Sequence, residues 1–172
     1  LSEWELILID DGSSDASAEI VARMRDPRIR ILSDRQQRGL AARLNEAVDL
    51  ARGNFIARMD ADDVCYPERL AKQVTFLKSN PGIDLIGCSA AVFTGNGTLV
   101  GLLPVPTSHQ EIVANPRRGF PLPHPTWCGR AEWFRRHRYD STLVRAQDQD
   151  LLLRCHSQSS LAALPEILLG YR

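Results

Sequence analysis

The sequence predicts an α/β fold, a mixed, mostly parallel sheet flanked by helices. Continuous aliphatic runs such as Glu5-Leu6-Ile7-Leu8-Ile9 have the character of strands buried on both faces, and they alternate with amphipathic segments over the first half. Acidic clusters follow two of these runs, and ligands of open α/β sheets bind beyond the carboxyl ends of strands.

Each element has a local reason. Glu5 to Ile9 is the first strand. Asp10-Asp11-Gly12-Ser13-Ser14-Asp15 is a turn, and Ser14 or Asp15 is the candidate cap of a helix with Ala18, Val21 and Ala22 at helical spacing. Asp26-Pro27 ends that helix, and Ile29 to Leu32 is a second strand. Gly39 to Ala51 is a helix with Leu40, Leu44, Ala47, Val48 and Ala51 on one stripe and Gly53 as its C-cap candidate. Phe55 to Met59 is the third strand. Pro67 opens a helix carrying Leu70, Val74 and Leu77, which Asn80-Pro81-Gly82 breaks. Ile83 to Phe93 is a fourth strand, turned by Gly95-Asn96-Gly97 into Thr98 to Leu103. Prolines 104, 106, 116, 121, 123 and 125 make the next stretch largely loop, with one short helix at His109 to Asn115. Trp127 to Arg130 is a strand, Glu132 to Arg136 a short helix, Gln147 to Cys155 a helix, and Leu161 to Leu169 extended chain around Pro165.

Composition bounds the function. The 172 residues suit one domain, and 44% hydrophobic with 24% charged residues is ordinary for a soluble globular protein. Lys+Arg and Asp+Glu each total 21, which argues against a nucleic-acid partner, since such domains carry a basic excess. No apolar run is long enough for a transmembrane segment, and no secretory signal is visible. Cys65, Cys88, Cys128 and Cys155 form no C-x-x-C pair, which disfavours structural zinc. They read as reduced, mostly buried thiols of a cytoplasmic protein. The chain starts at Leu1, almost directly on a strand, so the expectation is a piece of a longer protein.

The acidic clusters carry the chemistry. Asp60-Ala61-Asp62-Asp63 crowds three carboxylates after a strand, and a divalent cation with hard oxygen preference, Mn2+ or Mg2+, would relieve their repulsion. The alternative is a solvated acidic turn before Pro67. An EF-hand loop fits badly, because Cys65 stands where its glycine belongs and Ala71 where its glutamate belongs. Asp10 and Asp11 can accept hydrogen bonds from a base or ribose, or can simply build a turn. Asp148 and Asp150 open a helix, where they either complement its dipole or supply a general base. His124 sits between two prolines, and a lone histidine is more often structural than catalytic. The run Arg135-Arg136-His137-Arg138 could meet phosphate but usually marks a solvated helix end.

The order of these motifs resembles family 2 glycosyltransferases, which have the GT-A (Rossmann-like) fold. Glu5 to Asp15 looks like that family's second-strand signature. Gln37-Arg38-Gly39-Leu40-Ala41-Ala42 with Asn45 is similar to its Gly-led helix, and Ala57 to Asp63 with Pro67-Glu68-Arg69-Leu70 and Gln73 is similar to its metal-binding D-x-D segment and following helix. His124-Pro125-Thr126 and Asp148 to Arg154 resemble the acceptor-side loop and the catalytic helix. The resemblance implies a nucleotide-binding part over about 1–103 and an acceptor and catalytic part over about 104–172. It implies that Asp10, Asp11, Gly39 and Asp60 contact the nucleotide. Asp62, supported by Asp60 and Asp63, would hold the metal. Asp148 would be the catalytic base, with Gln147 and His124 on the acceptor side. The implied donor is a nucleotide-diphosphate sugar, and the acceptor is a saccharide or a lipid-linked sugar in surface-polysaccharide synthesis. The implied place is the cytoplasm, including peripheral association with the inner face of the membrane.

Departures exist. Gln147 stands where the family usually has Glu, Gln37 where it usually has Asn, and the family's first strand is absent from this chain. Two other classes compete: a nucleotidyltransferase, which would want a Gly-rich phosphate loop, and a non-catalytic sugar-nucleotide binding module.

Overall fold

The longest apolar strand organises the fold. In the computed structural model, which describes residues 2–172, β5 (Leu85–Phe93) buries its first seven residues and stands at the centre of a six-stranded sheet. β8 (Leu161–Tyr171) runs parallel along one edge of β5. β7 (Cys128–Arg130) and β6 (Leu99–Leu103) pair antiparallel with its two ends. β3 (Phe55–Ala57) pairs with β7 and β4 (Val64–Cys65) with β8, both antiparallel, so the order is β3-β7-β5-β8-β4 with β6 on β5. β1 (Leu6–Asp10) and β2 (Ile29–Ser33) form a separate parallel pair joined through α1 (Ser17–Ala22). Among the described residues β1 pairs only with β2 and β3 only with β7, so each keeps one edge free. The six-stranded sheet is mixed, with β5–β8 parallel and its other pairings among the described residues antiparallel; the separate β1–β2 pair is parallel.

The other helices are α2 (Leu40–Leu50), α3 (Arg69–Ser79), α4 (His109–Ile112), α5 (Ala131–Arg136) and α6 (Gln147–Cys155). The main core gathers Trp127, Trp133, Phe134, Leu151, Leu152 and Leu161. The indole of Trp127 donates to the Leu122 carbonyl at 2.9 Å and that of Trp133 to Ser159 Oγ at 2.8 Å, so neither buried N–H is left unpaired. All four cysteines are free thiols. Cys88, Cys128 and Cys155 are buried and Cys65 is half-buried.

Several boundaries differ from the sequence-based expectation for identifiable reasons. The third strand ends at Ala57 rather than Met59: the Arg58 amide still donates to the Trp127 carbonyl, but its own carbonyl accepts from Arg69 Nη2 at 2.8 Å. Ala51, in extended conformation, ends α2 in place of Gly53. Neither Ser14 nor Asp15 occupies the N-cap of α1, which is Ala16; Asp15 instead accepts from the Ser17 amide at 3.0 Å. The short helix stops at Ile112, three residues before Asn115. The last strand runs through Pro165 because the register against β5 shifts there, a place where the missing proline N–H costs nothing.

Candidate active site

The turn after β1 is built around two carboxylates. Asp10 is buried and accepts from the Ser13 amide at 2.9 Å and from Ser33 Oγ at 2.8 Å. Asp11 reaches across to the start of α2. Its Oδ1 accepts from the Arg38 amide and from Arg43 Nε, each at 2.8 Å, and its Oδ2 accepts from the Gly39 amide at 2.9 Å. Gly39, at φ 84°, holds the backbone conformation that aims both amides at Asp11, a region that disfavours side chains with a Cβ. Burial pushes the Asp11 carboxyl up. The Arg38 amide, the Arg43 guanidinium and the Gly39 amide outweigh it and bring its pKa below the ordinary 3.8. Oδ2 retains an unused lone pair on a half-exposed side chain, which leaves it able to accept from a ligand.

Arg43 ties this corner together. Its guanidinium, 4% exposed, bonds Asp11, Asp34, Glu46 at 2.8 Å and the Gln36 carbonyl at 2.6 Å. Asp34 is held down at about 2 by Arg43.

The Asp60-Ala61-Asp62-Asp63 turn lies beyond β3. Its carboxylates have different fates. Asp60 makes a two-point ion pair with buried Arg58. Asp62 is exposed and makes no hydrogen bond among the described residues. Asp63 is buried; its Oδ1 accepts from the Arg172 amide at 3.0 Å, and its Oδ2 has no partner. Burial raises the Asp63 pKa; the Arg172 amide opposes this, and the charges of Asp60 and Asp62 add to it. Among the described residues no three acidic, histidine or cysteine side chains converge as a ready-made ion site. A divalent cation nevertheless suits this turn. An orphaned buried carboxylate oxygen stands beside an unpaired carboxylate, and both are hard ligands. Asp62 and Asp63 are the residues that could hold it, whereas Asp60 already spends its charge on Arg58.

Arg58 connects this turn to the 124–127 segment, its amide donating to the Trp127 carbonyl at 2.9 Å. His124 is buried, and its Nε2 lies 2.8 Å from the Tyr139 hydroxyl, with the two rings tilted at 5.5 Å. Burial, then the Arg58 charge, pushes the imidazole well below its ordinary value and keeps it neutral. Burial raises the Tyr139 hydroxyl; the Arg58 charge opposes this and the Asp148 charge adds to it. Asp148 sits in the first turn of α6, half-buried, and accepts from Gln149 Nε2 at 3.3 Å. Gln147 beside it is buried. Asp60 and His124 thus share the surroundings of Arg58, and no hydrogen bond among the described residues ties Asp148 to them. Asp10 and Asp11 form their own cluster around Ser33 and Arg43.

Sequence reasoning gave no role to Arg43, Arg58, Arg69 or Tyr139. The signal for Arg58 was present, as a charge inside an aliphatic strand run. Arg69, 1% exposed, donates to Gln73 Oε1 at 3.1 Å and to the Arg58 carbonyl at 2.8 Å, and so pins the acidic turn to α3. The basic run at 135–138 is structural: Arg135 donates to the Ala51 carbonyl at the end of α2, and Arg138 pairs with Asp49 at 2.6 Å.

A mixed sheet with acidic clusters beyond its strand ends is an α/β architecture, and comparison with known proteins narrows it. The profile described as "Glycosyl transferase family 2" matches residues 1–140. An uncharacterized glycosyltransferase of Methanocaldococcus jannaschii is 30% identical over 171 residues, covering 97% of this chain and 59% of its own length. The amylovoran biosynthesis glycosyltransferase AmsE of Erwinia amylovora is 30% identical over 182 residues, covering 100% of this chain and 65% of its own. The crystal structure of S. aureus TarS 1-349 in complex with UDP superposes with a TM-score of 0.77 at 19% identity, over 98% of this chain and 51% of that one. The fold is GT-A, and the chain belongs to glycosyl transferase family 2. It spans between half and two thirds of the length of these proteins. Among the described residues no helix is long and apolar enough to cross a membrane.

Proposed function

We propose that this chain forms the donor-binding and catalytic part of an inverting glycosyltransferase that moves a sugar from a nucleotide-diphosphate sugar to an acceptor hydroxyl in surface-polysaccharide or glycoconjugate synthesis. The observation that carries the reading is that Arg58, paired with Asp60, donates its amide to the Trp127 carbonyl and so seats the strand-end acid against the segment whose His124 bonds Tyr139. The UDP bound to TarS and the polysaccharide named for AmsE support the donor and pathway class.

On this reading Asp11 Oδ2 accepts from the nucleotide base, and Gly39 shapes the loop beneath it. Asp62 and Asp63 hold a manganese or magnesium ion, which when bound neutralises charge on the diphosphate. The acceptor oxygen attacks the anomeric carbon as the bond from that carbon to the diphosphate oxygen breaks. The hydroxyl proton passes to an Asp148 oxygen and the electron pair leaves with the nucleoside diphosphate. One in-line displacement inverts the anomeric configuration. Gln149 donates to Asp148 Oδ2 and orients the base, while neutral His124 braces Tyr139 rather than shuttling protons.

The test is turnover of a nucleotide-sugar panel with and without manganese. Metal-dependent release of nucleoside diphosphate is expected. Asp62→Ala should weaken donor binding, and Asp148→Asn should spare binding and lower transfer by roughly 10²–10⁴-fold. Release of pyrophosphate would instead identify a nucleotidyltransferase, and metal-independent binding without turnover a binding module.

A further inference from the structure

The charge pattern of the chain has one long gap. No Asp, Glu, Lys or Arg stands between Asp84 and Glu111, a stretch that holds β5 and β6. β5 is largely buried, and burial accounts for its lack of charge. β6 is not buried. It pairs with β5 along one edge, and among the described residues its other edge is free. Both of its faces are open: Leu99 is 56% exposed, Val100 60%, Leu102 58% and Leu103 38%. Side chains alternate between the faces of a strand, so Leu99 and Leu103 share one face and Val100 and Leu102 the other.

An exposed apolar edge strand invites pairing with another chain, and proteins usually block such edges with lysine or another charge. The sequence here selects the partner. Leu99-Val100-Gly101-Leu102-Leu103 is apolar in both directions about Gly101. Antiparallel pairing of two copies about a two-fold axis at Gly101 sets Leu99 against Leu103 of the other copy, Val100 against Leu102, and Gly101 against Gly101. Aliphatic side chains then meet on both faces, and no like charges are brought together. A Cβ built at Gly101 would find nothing within 4 Å, so the space beside the axis is open to a second backbone. Pro104, which has no amide to give a ladder, follows the strand directly. Pairing uses the free edge of both copies, so the assembly closes at two. A membrane surface is read by basic residues beside an apolar patch, and the hairpin's own residues include none.

The size of the contact sets its strength. Edge-to-edge pairing of two strands of this length buries on the order of 800 Å² in all, below the roughly 1,200 Å² of stable complexes and inside the range of transient ones. We infer that β6 is the interface of a weak, reversible dimer, in which the β6 strands of two copies pair antiparallel about Gly101 and join their sheets. The free backbone groups of the edge supply the hydrogen bonds, and the four aliphatic side chains supply the apolar contact. The inference does not rest on the donor chemistry proposed above.

Sedimentation equilibrium of the protein across a concentration series tests it, and the dimer should form with a Kd of roughly 10–100 μM. Val100→Lys combined with Leu102→Lys sets like charges against each other in both pairs beside the axis and should weaken the dimer at least roughly tenfold. Val100→Lys combined with Leu102→Glu removes the same apolar surface but sets opposite charges against each other in both pairs. It should dimerise at least roughly fivefold more tightly than the double-lysine variant. Gly101→Cys gives a readout independent of these variants. Opposite residues of an antiparallel pair lie about 4.5–5.5 Å apart, within disulfide reach, so oxidised glutathione should link this variant into a dimer. Ser79→Cys, exposed at the end of α3, should stay unlinked. A protein that sediments as a monomer throughout, or a double-lysine variant that dimerises like wild type, overturns the interface. Equal weakening in the two charge variants, with Gly101→Cys unlinked, overturns the pairing about Gly101. Binding to neutral phosphatidylcholine vesicles that the double-lysine change abolishes, with no dimer in solution, would make β6 a lipid contact and overturn the second copy as its partner.

Discussion

Replacing Arg43 by methionine keeps the apolar stem and deletes the guanidinium that joins the first strand end to α2. Asp11 and Glu46 lose their cation, Asp34 keeps only Arg38, and the Gln36 carbonyl loses a 2.6 Å donor. Removing one member of a buried ion pair costs about 3–5 kcal/mol, because the partner charge stays behind uncompensated. Here the acid side chains are 33–35% exposed and rehydrate in part, so the cost falls to about 2–3 kcal/mol. For a domain of this size that is a drop of roughly 4–12 °C in Tm.

The pH dependence of the loss identifies its origin. Asp34 is held at about 2 and Asp11 is lowered from 3.8, so both carboxylates add stability above the ordinary value and lose it as pH falls through the folded one. The difference between wild type and Arg43→Met should be full at neutral pH and close between pH about 4 and about 2. Thermal or urea melts across that range measure it. A neutral-pH difference below about 1 kcal/mol, or one that widens in acid, would refute the assignment of Arg43 as the electrostatic tie.

Two further outcomes follow from the geometry. Asp63→Asn removes a buried charge whose Oδ2 has no partner, so the metal-free protein should gain about 1 kcal/mol at neutral pH, and its Tm rise on adding manganese should shrink; a manganese shift equal to wild type removes Asp63 from the metal reading. Gly119→Ala forces a Cβ into φ 92° and to within 2.9 Å of Gln149 Oε1, which should cost about 1–3 kcal/mol and raise the acceptor KM more than the donor KM; a stable variant with both constants unchanged means that Gln149 does not position the acceptor side.

What was legible in the sequence was whatever depends on local periodicity and on motif order. The Leu85–Phe93 strand, the α2 and α3 helices and the turn after β1 follow from runs and caps that a neighbour cannot easily override. Long-range pairing was harder to read. β4 is a two-residue strand that exists only because β8 passes beside it, and the third strand ends early where Arg69, eleven residues on, takes the Arg58 carbonyl. The acidic turn shows the same limit. Asp60, Asp62 and Asp63 look equivalent in sequence, yet one is paired, one is exposed and one is turned inward toward the backbone of Arg172, more than a hundred residues away.

Around the proposed nucleotide, Asp11 is already answered by two amides and Arg43, and Asp60 by Arg58. Groups locked in this way cost little reorganisation when a ligand arrives, which suits a nucleotide that recurs across a family. On the proposed reading, donor recognition is a property of the scaffold.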